Sequence, residues 1–347
     1  MNSKKRTVKR LAILCLAAVL TIGMLAGCGA DKNAADDKKE DGIDYLVLVN
    51  KLNKLPDDWE DKLTTEKFTN TVGDEVEVET KAYEAYLKLK EDLEKEDIHV
   101  DLDSARRSVD EQQRIWDDFT EKYGEAYTAK TVAKPGYSEH HTGLALDLYL
   151  IIDGKDVVEN EDMIKYTDIW AKIHEKLPQY GFILRYLEGK EHITGYGYEP
   201  WHIRYIDDPE KAADITKKGI TLETYLGEAA DTDVELDYGK SEIYDKATLD
   251  EAFVQTKCYF ASWKGCELHK LAYAGDDKLT NVKENLDWVN SLEGGGDYVK
   301  VMEITGSFHS PKDNKGTAWE PDMEYEDYQF WLGMDEEGSW SVVSTGY

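Results

Sequence analysis

SEHHTGLALDLYLII, residues 138–152, holds the two features around which the rest of the chain can be read. Its second part, Gly143 to Ile152, is almost wholly apolar and predicts a core strand. Its first part brings His140 and His141 to the edge of that strand, and Asp147 falls inside it. A strand that buries apolar side chains and presents a histidine and a carboxylate near its start predicts a site built on a sheet.

The flanking segments supply the other layer. Glu79 to Glu94 places Ala82, Tyr86, Leu89 and Leu93 at helical spacing, the pattern of an amphipathic helix. Ile98, Val100 and Leu102 then alternate with His99, Asp101 and Asp103, as in a half-buried strand. Ser108-Val109-Asp110-Glu111 has the form of a capping box, and Ile115, Trp116 and Phe119 give the buried face of the helix it starts. Asp168 to Leu177 predicts a further helix, stopped by Pro178, and Phe182 to Tyr186 with His202 to Ile206 a strand pair. Helices and strands without regular βαβ units predict an α+β fold, with helices packed on a small, mostly antiparallel sheet.

The chain has 347 residues and 41% hydrophobic content, enough for two domains that each bury a core. Lys4, Lys5, Arg6, Lys9 and Arg10 precede an uncharged apolar run from Leu11 to Gly27. This is the layout of a secretory signal, too short for a comfortable membrane span. The run ends in Leu25-Ala26-Gly27-Cys28, which resembles the lipobox of bacterial lipoproteins. That resemblance implies cleavage before Cys28, lipid on its thiol, and a protein held at the extracytoplasmic face of the cell membrane. Without the five basic residues of the signal, 37 basic side chains face 72 acidic ones, a net charge near −35. Such acidity excludes nucleic acid as an expected partner.

Residues 28–43 are small and charged and predict a flexible tether. A first domain is expected over 44–227, opening on the apolar run Tyr45 to Leu55. The acidic stretch Glu228 to Asp237 reads as a linker to an accessory α+β unit over 228–347. There Thr248-Leu249-Asp250-Glu251 predicts a capped helix to about Ser262, Glu267 to Ala274 a strand, and Leu279 to Leu292 a helix. Gly294-Gly295-Gly296 separates these from a strand over Tyr298 to Thr305, and Tyr328 to Met334 pairs with Trp340 to Ser344 across Glu337-Gly338. Cys258 and Cys266 either pair in a small loop worth roughly 2.5 kcal/mol on the chain-entropy estimate or stay as two buried thiols.

Two clusters carry chemistry: Ser138 to Asp147, and Glu199-Pro200-Trp201-His202. A catalytic zinc takes three protein ligands from imidazole and carboxylate and leaves a fourth position for water. His140, Asp147 and His202 supply such a set, and Glu199, three residues before His202, can place a carboxylate beside the metal to move a proton. Taken singly these pieces are weak, since a lone histidine is more often a surface or core residue.

Together they resemble the signature segments of the VanY-type D-alanyl-D-alanine carboxypeptidases, and of the related L,D-carboxypeptidases of cell-wall turnover. PGYSEHHTGLALDL (135–148) contains the family's Ser-x-His-x-x-Gly-x-Ala-x-Asp, and EPWH (199–202) its base and third ligand. LVLVNKLNKLPDDW (46–59) resembles the family's opening, so the likeness spans about 44–227. It implies one zinc per chain on His140, Asp147 and His202, with Glu199 as base. Ser104-Ala105-Arg106-Arg107-Ser108, followed by Gln112, corresponds to the family's Ser-Gly-Tyr-Arg-Ser-x-x-x-Gln. That implies Arg107 as the group that steadies the oxyanion, with Ser138 and Gln112 contacting the peptide. Ala105 and Arg106 depart from the family's Gly and Tyr and bear on pocket shape. His141 is expected to point away from the metal, because neighbours on an extended segment face opposite sides. His99, His174, His192, His269 and His309 are expected to be structural or exposed, and Arg185 and Arg204 to serve either the pocket or a buried ion pair.

The activity implied is removal of a C-terminal D-amino acid from peptidoglycan stem peptides. Alternatives on the same residues are a cross-bridge endopeptidase and a non-catalytic wall-binding lipoprotein.

Overall fold

The structure, a computed structural model, describes residues 42–347 apart from 124–127, 129–131, 280–281, 293–296, 314–318 and 337. The signal segment, Cys28 and all but the end of the tether lie outside the described residues, as do Gly294, Gly295, Gly296 and Glu337. Among the described residues no helix is long and apolar enough to cross a membrane.

The apolar opening run forms neither helix nor strand. Asn50 turns the chain instead, its side-chain oxygen accepting the backbone N–H groups of Leu52 and Asn53 at 3.0 and 2.9 Å, a local competition typical of Asn. Val49, Leu55 and Trp59 are nonetheless buried in the first core. A hairpin follows, β1 (Thr65–Thr69) with β2 (Glu75–Glu79), which the sequence reading missed. Val76 and Val78 alternate with glutamates in β2, and only the two valines carry its apolar face. α1 (Thr80–Glu94) buries Ala82, Ala85, Tyr86, Leu89 and Leu93. Glu79 caps it by accepting the Ala82 N–H at 2.8 Å.

β3 (His99–Ser104) turns Val100 and Leu102 inward as the alternation predicts, but Asp101 is buried too. Its carboxylate is satisfied by the Tyr86 hydroxyl, the Lys90 ammonium and the Thr71 N–H, which is how a charge survives away from water. α2 (Val109–Tyr123) begins as expected, with Ser108 Oγ accepting the Glu111 N–H at 3.1 Å. Then come β4 (Ala145–Ile152), β5 (Lys155–Val157), α3 (Asn160–Met163), α4 (Thr167–Lys176), β6 (Phe182–Leu184), α5 (Glu191–Thr194), β7 (His202–Tyr205), α6 (Pro209–Lys218) and α7 (Leu222–Tyr225). The sheet runs β3-β4-β7-β6 with β5 beside β4, antiparallel throughout.

Register on this sheet assembles the site. Asp147 of β4 lies directly across from His202 of β7, and, past an irregularity in β3, from Ser104. Three segments far apart in sequence therefore meet at one end of three neighbouring strands.

A second core is built on β8 (Glu235–Asp237), α8 (Lys246–Phe260), β9 (Glu267–Tyr273), α9 (Val282–Ser291), β10 (Lys300–His309), β11 (Glu324–Met334) and β12 (Trp340–Gly346). The strand order is β12-β11-β10-β9-β8, antiparallel except for β8 on β9. The acidic stretch read as linker thus ends in a strand, because Leu236 pairs across from Leu271. α8 starts two residues earlier than its expected capping box. Its cap is Asp245, whose carboxylate accepts the Thr248 N–H at 2.9 Å. Cys258 and Cys266 are both thiols, not a disulfide. Cys258 is buried on α8 in the second core, and burial pushes the Cys266 thiol up to about 12, so it is a poor nucleophile.

Candidate active site

His140 enters the site from the tight turn Glu139–Thr142, which ends on Gly143 at φ 71° before the chain becomes β4. One donor atom each from His140, Asp147 and His202 lie within 4.8 Å of one another. His140 Nε2 is 3.1 Å from Asp147 Oδ2, and His202 Nδ1 is 3.0 Å from Asp147 Oδ1.

The other nitrogen of each ring decides what those contacts mean. His140 Nδ1 is 2.7 Å from the Ala105 carbonyl, which can only accept, so Nδ1 carries the proton. His202 Nε2 is 3.1 Å from Glu139 Oε2. Burial would raise the Glu139 pKa, but Arg185 and Arg204 hold it well below the usual carboxylate range, so it too accepts, and His202 carries its proton on Nε2. As neutral rings, both therefore turn a lone pair toward a carboxylate oxygen. Asp147 Oδ1 is buried with no well-formed hydrogen bond despite His202 Nδ1 beside it. A cation among the three would resolve that arrangement. Without one, burial would lower the His202 pKa, but Asp147 and Glu139 outweigh it and push it up to about 10, so that a second proton on the ring takes the same place. Burial raises the Asp147 pKa, yet His140 and His202 more than offset it and keep the group ionised.

Behind the ligands lies a wholly buried ion network. Arg185 Nε and Arg204 Nη1 donate to Glu139 Oε1 at 2.7 and 2.8 Å, and Arg185 also grips both oxygens of Glu223 at 2.7 and 2.9 Å. Two guanidinium groups offset two carboxylates, so the network is neutral in itself and locks the His202 ring through Glu139, the outer-shell arrangement that orients metal ligands. The sequence reading gave Glu139 no role, and it left Arg185 and Arg204 open between pocket and ion pair. The ion pair is what the fold uses. The available signal was Arg204 inside a buried strand, since such a charge requires a carboxylate partner.

His141 is excluded as a ligand by its own bonds. Gly136 N–H donates to its Nε2 at 3.0 Å, and its Nδ1 reaches the Arg107 carbonyl at 2.7 Å. Both ring nitrogens are occupied in holding the chain around Arg107. The Arg107 backbone is held as well, its N–H donating to the His140 carbonyl at 3.0 Å.

Asp103, Arg107, Ser138, Tyr186, Tyr196 and Glu199 are among the residues that line a pocket of about 120 Å³ over the three donors. The Arg107 guanidinium donates to Gln112 Oε1 at 3.0 Å. Gln112 in turn donates to the Ala133 carbonyl at 2.7 Å. Both ends of its amide thus help to aim Arg107, and the side chain also lines the pocket. Ala105 and Arg106 leave the pocket alone. Arg106 turns outward to Glu77 and Glu60, and Ala105 contributes its carbonyl to His140. Glu199 is buried at the pocket wall, with Oε2 3.7 Å from His202 Nδ1. The turn from Glu199 to His202, closed by the His202 N–H on the Glu199 carbonyl at 3.2 Å, sets both side chains on one side.

Residues 75–208 match the family model VanY, D-alanyl-D-alanine carboxypeptidase. The chain is 34% identical over 204 residues to the putative carboxypeptidase YodJ of Bacillus subtilis, covering 55% of this chain and 72% of that one. It is 32% identical over 210 residues to a D-alanyl-D-alanine carboxypeptidase of Enterococcus faecalis, covering 56% and 72%. The chain belongs to the VanY family of D-alanyl-D-alanine carboxypeptidases. A bifunctional D-Ala-D-Ala dipeptidase and carboxypeptidase of Enterococcus gallinarum, VanXYC, is 42% identical over 130 residues, 36% of this chain and 65% of that protein. The protein is accordingly a zinc carboxypeptidase, and His140, Asp147 and His202 form a donor set that could hold such a metal.

Proposed function

We propose that this VanY-family enzyme removes a single C-terminal D-amino acid from peptidoglycan stem peptides, with His140, Asp147 and His202 as zinc ligands and Glu199 and Arg107 as catalytic residues. The observation that carries the reading is the convergence of two imidazoles and one carboxylate on a common point, with the Glu199 carboxylate beside it. These three residues would hold zinc, which would supply polarisation of the scissile carbonyl and a water activated near neutral pH. Glu199 takes the proton of the attacking water and returns it to the leaving amine. Arg107, aimed by Gln112, stabilises the charge that develops on the carbonyl oxygen. Burial works against the Arg107 charge, and Asp147, Glu111 and Asp103 support it. Incubating the protein with defined tetrapeptide and pentapeptide stems and weighing the products tests the reading. The expected result is loss of one terminal D-alanine from at least one stem. Cleavage of neither peptide contradicts it.

Residues 44–227 carry this reaction, with 228–347 as an accessory unit and 28–43 as the tether to a lipid on Cys28. The run Leu25-Ala26-Gly27-Cys28 behind a basic, then apolar, leader supports the anchor. Stable anchoring takes more than one acyl chain. Cys28→Ser is expected to move the protein from the membrane to the soluble extracellular fraction of cells, read by fractionation. An unchanged membrane fraction argues for an uncleaved leader as the anchor.

A further inference from the structure

The connection between β6 and β7, residues 185–201, supplies Tyr186, Tyr196 and Glu199 to the pocket wall, yet its only regular element is the four-residue α5. A segment of that kind has little rigidity of its own. Its outer side is partly covered by the second unit. Three consecutive side chains on it each reach beyond residue 228. Lys190 Nζ contacts Asp231 at 2.7 Å and Asp233 at 3.3 Å. Glu191 Oε2 meets Lys257 Nζ of α8 at 3.2 Å. His192 Nε2 lies 3.1 Å from both the carbonyl and the hydroxyl of Thr232.

The middle contact is the unusual one. Glu191 is 3% exposed and Lys257 6%, so the pair is shielded from solvent between two units that each have their own core. A buried ion pair is a weak source of stability compared with apolar packing, but breaking one half is costly, so it fixes geometry more than it adds strength. Glu191 uses its other oxygen on the Gly189 N–H at 2.9 Å, which ties the pair to the backbone of the wall. Close packing continues at Gly195, in the left-handed region at φ 76°, where an added Cβ would lie 3.6 Å from the Ala261 methyl at the end of α8.

We infer that residues 228–347 form a working part of the active site: Lys257, through Glu191, is a positioning residue that holds the 186–199 wall, and with it Glu199, over the metal ligands. This inference rests on the reading of the site given above. It gives the accessory unit a role in the hydrolysis itself and not solely at the wall or membrane.

The test uses the full chain. Lys257→Met keeps the length of the side chain and removes its charge. Val342→Ala thins the second core without altering any of the side chains that meet at the junction. At a temperature where all proteins are folded, Lys257→Met is expected to lower kcat on a stem peptide roughly tenfold, as small misplacements of catalytic groups do, with zinc content unchanged. Val342→Ala is expected to keep the wild-type kcat. Glu191→Gln combined with Lys257→Met is expected to lose no more than the worse single variant. Should Lys257→Met not fold, Lys190→Ala reads the same quantity at the neighbouring tie, with an expected threefold fall. Wild-type kcat in Lys257→Met (or in Lys190→Ala, if that variant has replaced it), or an equal fall in Val342→Ala, overturns the inference. An inactive wild-type protein would instead overturn the reading of the site, so the two failures are distinguishable.

Discussion

Glu199→Ala is expected to hold as much zinc as the wild type and to cleave a D-alanine-ended peptide about 10²–10⁴-fold more slowly, the range ascribed to general acid–base catalysis. The first half of that expectation follows from geometry. Glu199 Oε2 lies 3.7 Å from His202 Nδ1, while the close donor set is made by His140, Asp147 and His202 without it. The second half follows from its place in the buried wall of the pocket. His202→Ala is the contrasting variant and is expected to lose both zinc and turnover. Metal analysis alongside steady-state kinetics separates the two. Wild-type turnover in Glu199→Ala would mean that another group moves the proton.

Glu139→Gln is expected to be the most damaging change that touches neither metal nor substrate. The Glu139 side chain is 1% exposed and receives Arg185, Arg204 and His202 together. Replacing its charge leaves two guanidinium groups against the single carboxylate of Glu223, buried beside the site proposed to hold a dication. Breaking a buried ion pair from one side costs about 3–5 kcal/mol, and loss of a ligand's outer partner lowers metal affinity about 10–100-fold. Urea unfolding of the zinc-loaded protein and competition with a chelator measure the two effects. Stability and affinity equal to the wild type would show that the network does not orient His202.

How much of this was legible beforehand depends on whether a feature is local or assembled. The helix over 80–94, the cap at Ser108 and the strands bearing Asp147 and His202 follow from periodicity and turn chemistry within a few residues. The three donor residues that converge were legible because they fall in two short motifs resembling those of the family. His140 was already preferred to His141 by the motif, and the structure adds the physical reason, with Gly136 and Arg107 occupying both nitrogens of His141. The hairpin over 65–79 escaped because glutamates outnumber valines in β2, and its two apolar positions are too few to show a period. β8 was hidden in an acidic stretch because its single leucine pairs with a strand 35 residues away. The roles of Glu139, Glu223 and Lys257 could not be read locally, since each depends on a partner far along the chain.

The most direct measurement is an anomalous-scattering map of crystals of the zinc-loaded protein, recorded at the zinc edge. The account predicts one peak about 2.0–2.2 Å from His140 Nε2, an Asp147 oxygen and His202 Nδ1, with His202 Nε2 still against Glu139. A peak on His141, ligation through His202 Nε2, or no zinc at these three residues would contradict it.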